Sequence, residues 1–274
     1  MNKEIKVLVF GSTGTGKTSL CNELTGKDQP TSSSARGVTF QSHTFDPIEI
    51  NGKQIVITDT VGLNEAANGT VSPKDSITQL IKLLHESKDG YNLLIQVMKA
   101  PRITDTLKQN YELFYKKMTD CNIPILLVVT GCENEDPMMQ WVDDNRIHFE
   151  SEDLLYSEIF ATCFAKGGRL EPVYTELRQE SAQIIFNAIE EYALEEPKKI
   201  YKSTEELDDV LKKIWNYFCD SLNIQKFRFE VNDGAYDVMI RVGIPQNIAA
   251  QIAKVDILDL GKKALSLFWA KVFR

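Results

Sequence analysis

Short hydrophobic runs alternate with amphipathic stretches over residues 1–197, and each kind predicts a different element. Residues 5–10, 91–98, 123–129 and 158–163 are apolar-rich and of strand length, suited to strands covered on both faces. Residues 48–50 and 54–57 flank Asn51-Gly52, a strong signal for a two-residue hairpin turn. Helical patterns fill the gaps. Ser72-Pro73 offers a cap and a first-turn proline for a helix to about residue 85. Ile103, Leu107, Tyr111, Phe114 and Met118 recur at helical spacing, and a further helix is expected over 173–194. Residues 133–153 read as a polar excursion anchored by Trp141. Strands alternating with helices in this way predict an α/β fold of three layers, a mostly parallel six-stranded sheet with helices on both faces. Ligands then bind at the carboxyl ends of the strands.

Beyond Glu195-Glu196-Pro197 the pattern changes, which divides the chain into a domain over 1–197 and a helical extension over 198–274. Ser203-Thr204-Glu205-Glu206 can form a capping box for a helix burying Leu207, Leu211, Ile214, Trp215 and Phe218. Residues 227–231 alternate like a strand before Asn232-Asp233-Gly234. Helices are nonetheless preferred here, because Gly243-Ile244-Pro245 reads as a helix stop followed by a start. A last helix over 256–273 places Ile257, Leu260, Ala264, Leu265, Phe268 and Val272 on one side, and from Gly261 onward its charged residues are Lys262, Lys263, Lys271 and Arg274. Such a basic, aromatic end suits a membrane surface or a partner. It equally suits packing of the apolar stripe on the domain, which is the preferred reading.

Composition narrows the picture modestly. A net charge of -8 argues against a nucleic-acid partner, whose footprint would be basic. The five cysteines (21, 121, 132, 163 and 219) are scattered, with no C-x-x-C pair, as expected of reduced thiols in a cytoplasmic protein. Met1 leads almost directly into the first strand, so no signal peptide is expected, and no apolar run approaches the ~20 residues of a membrane span.

The chemistry is concentrated at strand ends. Gly11-Ser12-Thr13-Gly14-Thr15-Gly16-Lys17-Thr18, followed by Ser19, is a complete G-x-x-x-x-G-K-[ST] loop between a strand and a helix. Its backbone N–H groups can turn around a chain of phosphates, with the positive end of the helix dipole behind them. Lys17 is placed to reach the β- and γ-phosphates and Thr18 to hold Mg²⁺. Asp59-Thr60-Val61-Gly62 is a D-x-x-G just past a strand, where Asp59 would meet Mg²⁺ through water and the Gly62 amide the γ-phosphate. Between them, residues 26–39 include the Ser/Thr/Gly-rich stretch Thr31 to Thr39, the composition of a first switch loop. Thr39 is the preferred hydroxyl for Mg²⁺, with Thr31 second.

The order GSTGTGKTS, GVTF, DTVGL and VVTGCE resembles septin-related GTPases, and most closely the immunity-associated GIMAP-type G domains, over about residues 1–195. The resemblance implies a P-loop G domain that binds GTP and GDP with Mg²⁺. Where Ras-type enzymes carry N-K-x-D, this chain has Thr130-Gly131-Cys132-Glu133, so Thr130 and Glu133 are carried across. Glu133 would accept the guanine N1–H and N2–H₂ donors, which adenine cannot match. Gly131 departs from the pattern by removing the long side chain that would cover one face of the base. Ala161-Thr162 resembles the element whose backbone amide meets guanine O6. Leu63 stands where a Ras-type enzyme has its water-orienting glutamine, and leucine cannot hydrogen-bond water. The missing group must then come from Thr39, from the backbone or from a second subunit. The resemblance implies slow hydrolysis raised by homodimerisation across the nucleotide, with Arg36 a candidate to bridge to the partner's nucleotide. A scaffold that barely hydrolyses GTP and an NTPase of relaxed base specificity are the alternatives.

Overall fold

Seven strands form one sheet at the centre of the first of two compact units, 1–200 and 201–274. The computed structural model describes residues 4–29, 42–60, 80–84 and 86–221, together with 240, 246, 249 and 250. In chain order the elements are β1 (Glu4–Gly11), α1 (Lys17–Thr25), β2 (His43–Thr44), β3 (Ile48–Ile50), β4 (Lys53–Asp59) and β5 (Leu93–Lys99). They continue with α2 (Asp105–Asn110, running on as a π-type helix over Tyr111–Met118), β6 (Ile125–Thr130), α3 (Gln140–Ser151), β7 (Glu158–Thr162), α4 (Glu171–Tyr192) and α5 (Thr204–Ser221). Residues 80–84 are also helical. The sheet runs β2-β4-β1-β5-β6-β7, a path of six strands, with β3 as a seventh on β4. All pairs from β4 to β7 along this path are parallel; β2 and β3 run antiparallel to β4.

The observed α/β architecture is the one the hydrophobic pattern predicts, with one strand more than the six expected: β2 is two exposed residues long, too short to leave a pattern. Central strands read as continuous apolar runs because both their faces are covered: Val7, Leu8, Val9 and Phe10 are all fully buried. One face carries Val7, Val9, Ile57 and Leu93 into a cluster with Leu20, Cys21 and Leu24 of α1 and Ala182, Ile185 and Ile189 of α4. On β1, Phe10 stacks on Phe114 of the π-type turn, ring centroids 4.4 Å apart. The Asn51-Gly52 hairpin pairs Ile50 with Lys53 and Ile48 with Ile55.

Three boundaries differ from expectation, each for a local reason. The strand expected from Tyr91 begins at Leu93, since Tyr91 instead exchanges backbone hydrogen bonds with Lys198. The strand expected from Ile123 begins at Ile125, after Pro124, which has no N–H to donate and serves only as an acceptor for Leu94. The polar excursion over 133–153 contains a helix, α3. Its buried residues are only Trp141, Val142 and Phe149, while Ile147 is 67% exposed, so the apolar stripe is too thin to mark a helical period.

In the second unit, α5 starts on the predicted cap: Ser203 Oγ accepts the Glu206 N–H at 3.2 Å, and the Glu206 carboxylate accepts the Lys202 N–H at 2.7 Å. Leu207, Leu211 and Ile214 are buried as expected, with Val210 added. The side chains of Trp215 and Phe218, and the helix expected over 256–273, lie outside the described residues.

Candidate functional site

The chain leaves β1 at the point where the sheet order reverses, β4 on one side and β5 on the other, so the loop after β1 opens into a crevice at the strand ends. Gly11 makes the departure sterically feasible. A Cβ there would stand 2.3 Å from the Val97 carbonyl oxygen, so only glycine fits. The loop closes on itself through the Thr15 hydroxyl, which donates to Ser12 O at 2.8 Å. Helix α1 then begins with Gly16 as its N-cap in the left-handed conformation, with no capping side chain and no acidic residue in the first turn. A helix N-terminus with no carboxylate in its first turn has the electrostatics of an anion site.

Lys17, buried to 7% exposure, arches back so that its ammonium donates to Ser12 O at 2.8 Å. The Thr18 hydroxyl donates to Asp59 Oδ2 at 3.0 Å, joining the start of α1 to the end of β4. Asp59 pairs with Val9 on one side and His43 on the other, and its Oδ1 is buried with no hydrogen-bond partner among the described residues. Burial is the largest influence on this carboxyl and pushes its pKa up, against the pull of the Lys17 ammonium, the Thr18 hydroxyl and His43. A buried carboxylate oxygen without a partner is costly unless something fills the place. Two oxygen donors beside a phosphate-sized loop suit a hard divalent cation that completes its shell with phosphates and water.

The other motif residues converge from β6 and β7. The Thr130 hydroxyl lies 2.7 Å from Thr15 O and 3.2 Å from Met98 O, bracing the phosphate loop against the sheet. This tie is a contact the sequence reading did not assign to Thr130. Glu133 Oε2 is buried with no hydrogen-bond partner among the described residues. Its carboxylate lies beside Cys163, whose thiol pKa is raised by burial first, opposed by the Ala165 backbone N–H and the Arg178 charge, and raised further by the Glu133 charge and by a hydrogen bond to that carboxylate. The base motif and the loop after β7 thus face each other. Ala161 and Thr162, expected to offer an amide to the base, are instead buried positions inside β7. The Ala161 N–H meets Met139 Sδ at 3.3 Å, and the next amide but one, that of Cys163, donates to Ser181 Oγ at 2.9 Å. An amide free to meet a base would have to come from farther along the loop.

Arg36, Thr39, Gly62 and Leu63 lie outside the described residues. Sequence reasoning passed over Arg178, which holds the loop after β7 in place. It donates to Ala165 O at 2.9 Å and pairs with Glu171 at 2.6 Å and Glu23 at 3.2 Å. A lone arginine amid the polar residues of a long helix carries no sequence signal for that role.

Residues 6–131, from β1 through the end of β6 and Gly131, match the sequence model of a family described as 50S ribosome-binding GTPase. The match covers a little under half of the chain, and the first unit has a fold consistent with that of a P-loop G domain. A comparison with curated protein sequences yields no match. Among solved structures, the domain is similar to Era from Aquifex aeolicus bound to GDP and AlF4-, at 17% identity and a TM-score of 0.51, over 73% of this chain and 60% of that one. It is also similar to translation elongation factor SelB from Methanococcus maripaludis in complex with the GTP analogue GppNHp, at 17% identity and a TM-score of 0.43, over 71% of this chain and 36% of that one. A third is Toc33 from Arabidopsis thaliana in complex with GDP and Mg²⁺, at 18% identity and a TM-score of 0.45, over 70% and 87%. The chain spans little more than half of Era and about a third of SelB. At these identities the likeness concerns the fold alone.

Proposed function

We propose that this protein binds GTP and GDP together with Mg²⁺, hydrolyses GTP slowly, and pairs with a second copy through its GTPase domain when the nucleotide is GTP. The observation that carries the guanine reading is the unpartnered, buried Oε2 of Glu133 beside the loop after β7. A carboxylate there satisfies itself by accepting the two adjacent N–H donors of guanine, whereas adenine would present an acceptor to an acceptor. Lys17 and the amides at the start of α1 would hold the phosphates, and Thr18 and Asp59 the cation, which neutralises charge on the phosphates when bound. The amide meeting guanine O6 is assigned to the loop that follows Cys163.

Slow turnover and pairing rest on Leu63 after Gly62, and on the resemblance of the motif order to septin-related and GIMAP-type domains. With no side chain at that position able to orient water, the missing group would come from Thr39, from the backbone, or from Arg36 of a partner copy. The same leucine favours a second reading, a GTP-dependent scaffold with little hydrolysis. The expected location is cytoplasmic, with a membrane-surface or partner contact by the basic C-terminal end as the alternative to packing of its apolar stripe.

Equilibrium titration with fluorescent GDP and ADP tests the guanine reading. GDP should bind at least ~100-fold more tightly, since mispairing buried donors and acceptors costs several kcal/mol. Glu133→Ala should erase the preference. Equal affinities in the unmutated protein would show that the base motif is misassigned.

A further inference from the structure

Gly131 leaves one face of the base without the long side chain that the motif would otherwise supply, and the neighbouring strand fills that lane. Gly131 has φ +84°, a conformation that favours glycine, and a Cβ built on it would lie 3.5 Å from Lys99 Cγ and 3.6 Å from Lys99 Cε. The methylene stem of Lys99 therefore runs along the Gly131 backbone, where a side chain of residue 131 would begin. Lys99 is the last residue of β5 and sits opposite Thr130 in the parallel ladder. The next residue, Ala100, donates its N–H to Thr130 O at 2.8 Å, while the Thr130 hydroxyl reaches Thr15 O at 2.7 Å. Phosphate loop, base motif and Lys99 are thus fixed to one another at the carboxyl ends of β5 and β6, by the strand ladder and by the Thr130 hydroxyl. Lys99 is itself exposed there.

We infer that Lys99 supplies the cover over the nucleobase that Gly131 lacks, its stem lying on the base and its ammonium directed past it to solvent or the ribose. This rests on the reading of the site as a guanine-nucleotide site. An aliphatic stem with a charged head suits that place, because methylenes pack on an aromatic plane while the ammonium stays hydrated or sits at the edge of the π-system. Gly131 then supplies the left-handed backbone, and Lys99 supplies the side chain.

Titration of fluorescent GDP into the full-length wild type, Lys99→Met and Lys99→Ala tests this, with inorganic pyrophosphate as a competing, base-free probe and urea unfolding as the check on folding. Lys99→Ala should weaken GDP about tenfold and leave pyrophosphate competition unchanged, while Lys99→Met, which keeps a stem, should stay within about threefold of the wild type. Unchanged GDP affinity in Lys99→Ala would overturn the assignment while leaving the nucleotide site standing. So would equal losses of GDP and pyrophosphate, which would place Lys99 on the phosphates, and so would a Lys99→Met variant as weak as Lys99→Ala. A wild type that binds pyrophosphate but shows no preference for GDP over ADP would bring down the guanine reading, and this inference with it.

Discussion

Thr18 and Asp59 stand 41 positions apart in the chain and 3.0 Å apart in the fold, and between them they leave one buried carboxylate oxygen unmatched. That mismatch is what a cation would resolve. Thr18→Ala should therefore abolish most of the gain in GDP affinity that Mg²⁺ brings while keeping binding in EDTA, measured by titration with and without the metal. An undiminished Mg²⁺ effect would remove Thr18 from the cation site. Lys17 is different in kind, since its buried ammonium is the charge the loop itself places at the phosphates. Lys17→Ala should lose measurable nucleotide affinity with the far-UV spectrum intact; micromolar GTP binding by the folded variant would contradict the assignment. The phosphate-loop residues were legible in the sequence because their spacing is dictated by backbone geometry. Thr130 was legible only by resemblance, and its tie to Thr15 O could not be read, because it joins residues 115 positions apart through a single hydroxyl.

At the scale of elements, α4 does two jobs, and only one of them showed in the sequence. Its apolar residues Ala182, Ile185 and Ile189 pack on the sheet, as their helical spacing predicts. Its Arg178, 14% exposed, holds the loop after β7 by Ala165 O and by Glu171, whose carboxylate also accepts the Gly167 N–H at 2.7 Å. The Arg178 guanidinium, first among the causes, keeps the exposed Glu171 carboxyl below its ordinary value. Arg178→Met should cost about 1–2 kcal/mol in urea unfolding and weaken GDP binding, and Arg178→Lys should restore little of either, because an ammonium lacks the planar fork. A stability equal to wild type would show the bracing to be inconsequential. Helix α3 illustrates the opposite limit: with Trp141, Val142 and Phe149 its only buried residues, it is held by tertiary contact rather than announced by period. The strand starts at Leu93 and Ile125 were likewise set by non-local pairing and by Pro124.

At the scale of the whole molecule, the unit over 1–200 is joined in sequence to a second unit whose described helix, α5, was foreseen from its cap and its apolar spacing. No helix among the described residues is long and apolar enough to cross a membrane. Under the proposed function, this unit would turn GTP over slowly by itself and faster in pairs. Phosphate release from GTP, followed over a range of protein concentrations alongside sedimentation in GDP and in GTP with Mg²⁺, tests it most directly. The predicted result is a specific activity that climbs with concentration, with dimers in GTP and monomers in GDP. Brisk turnover that is independent of concentration in a protein that stays monomeric in both nucleotides would contradict it.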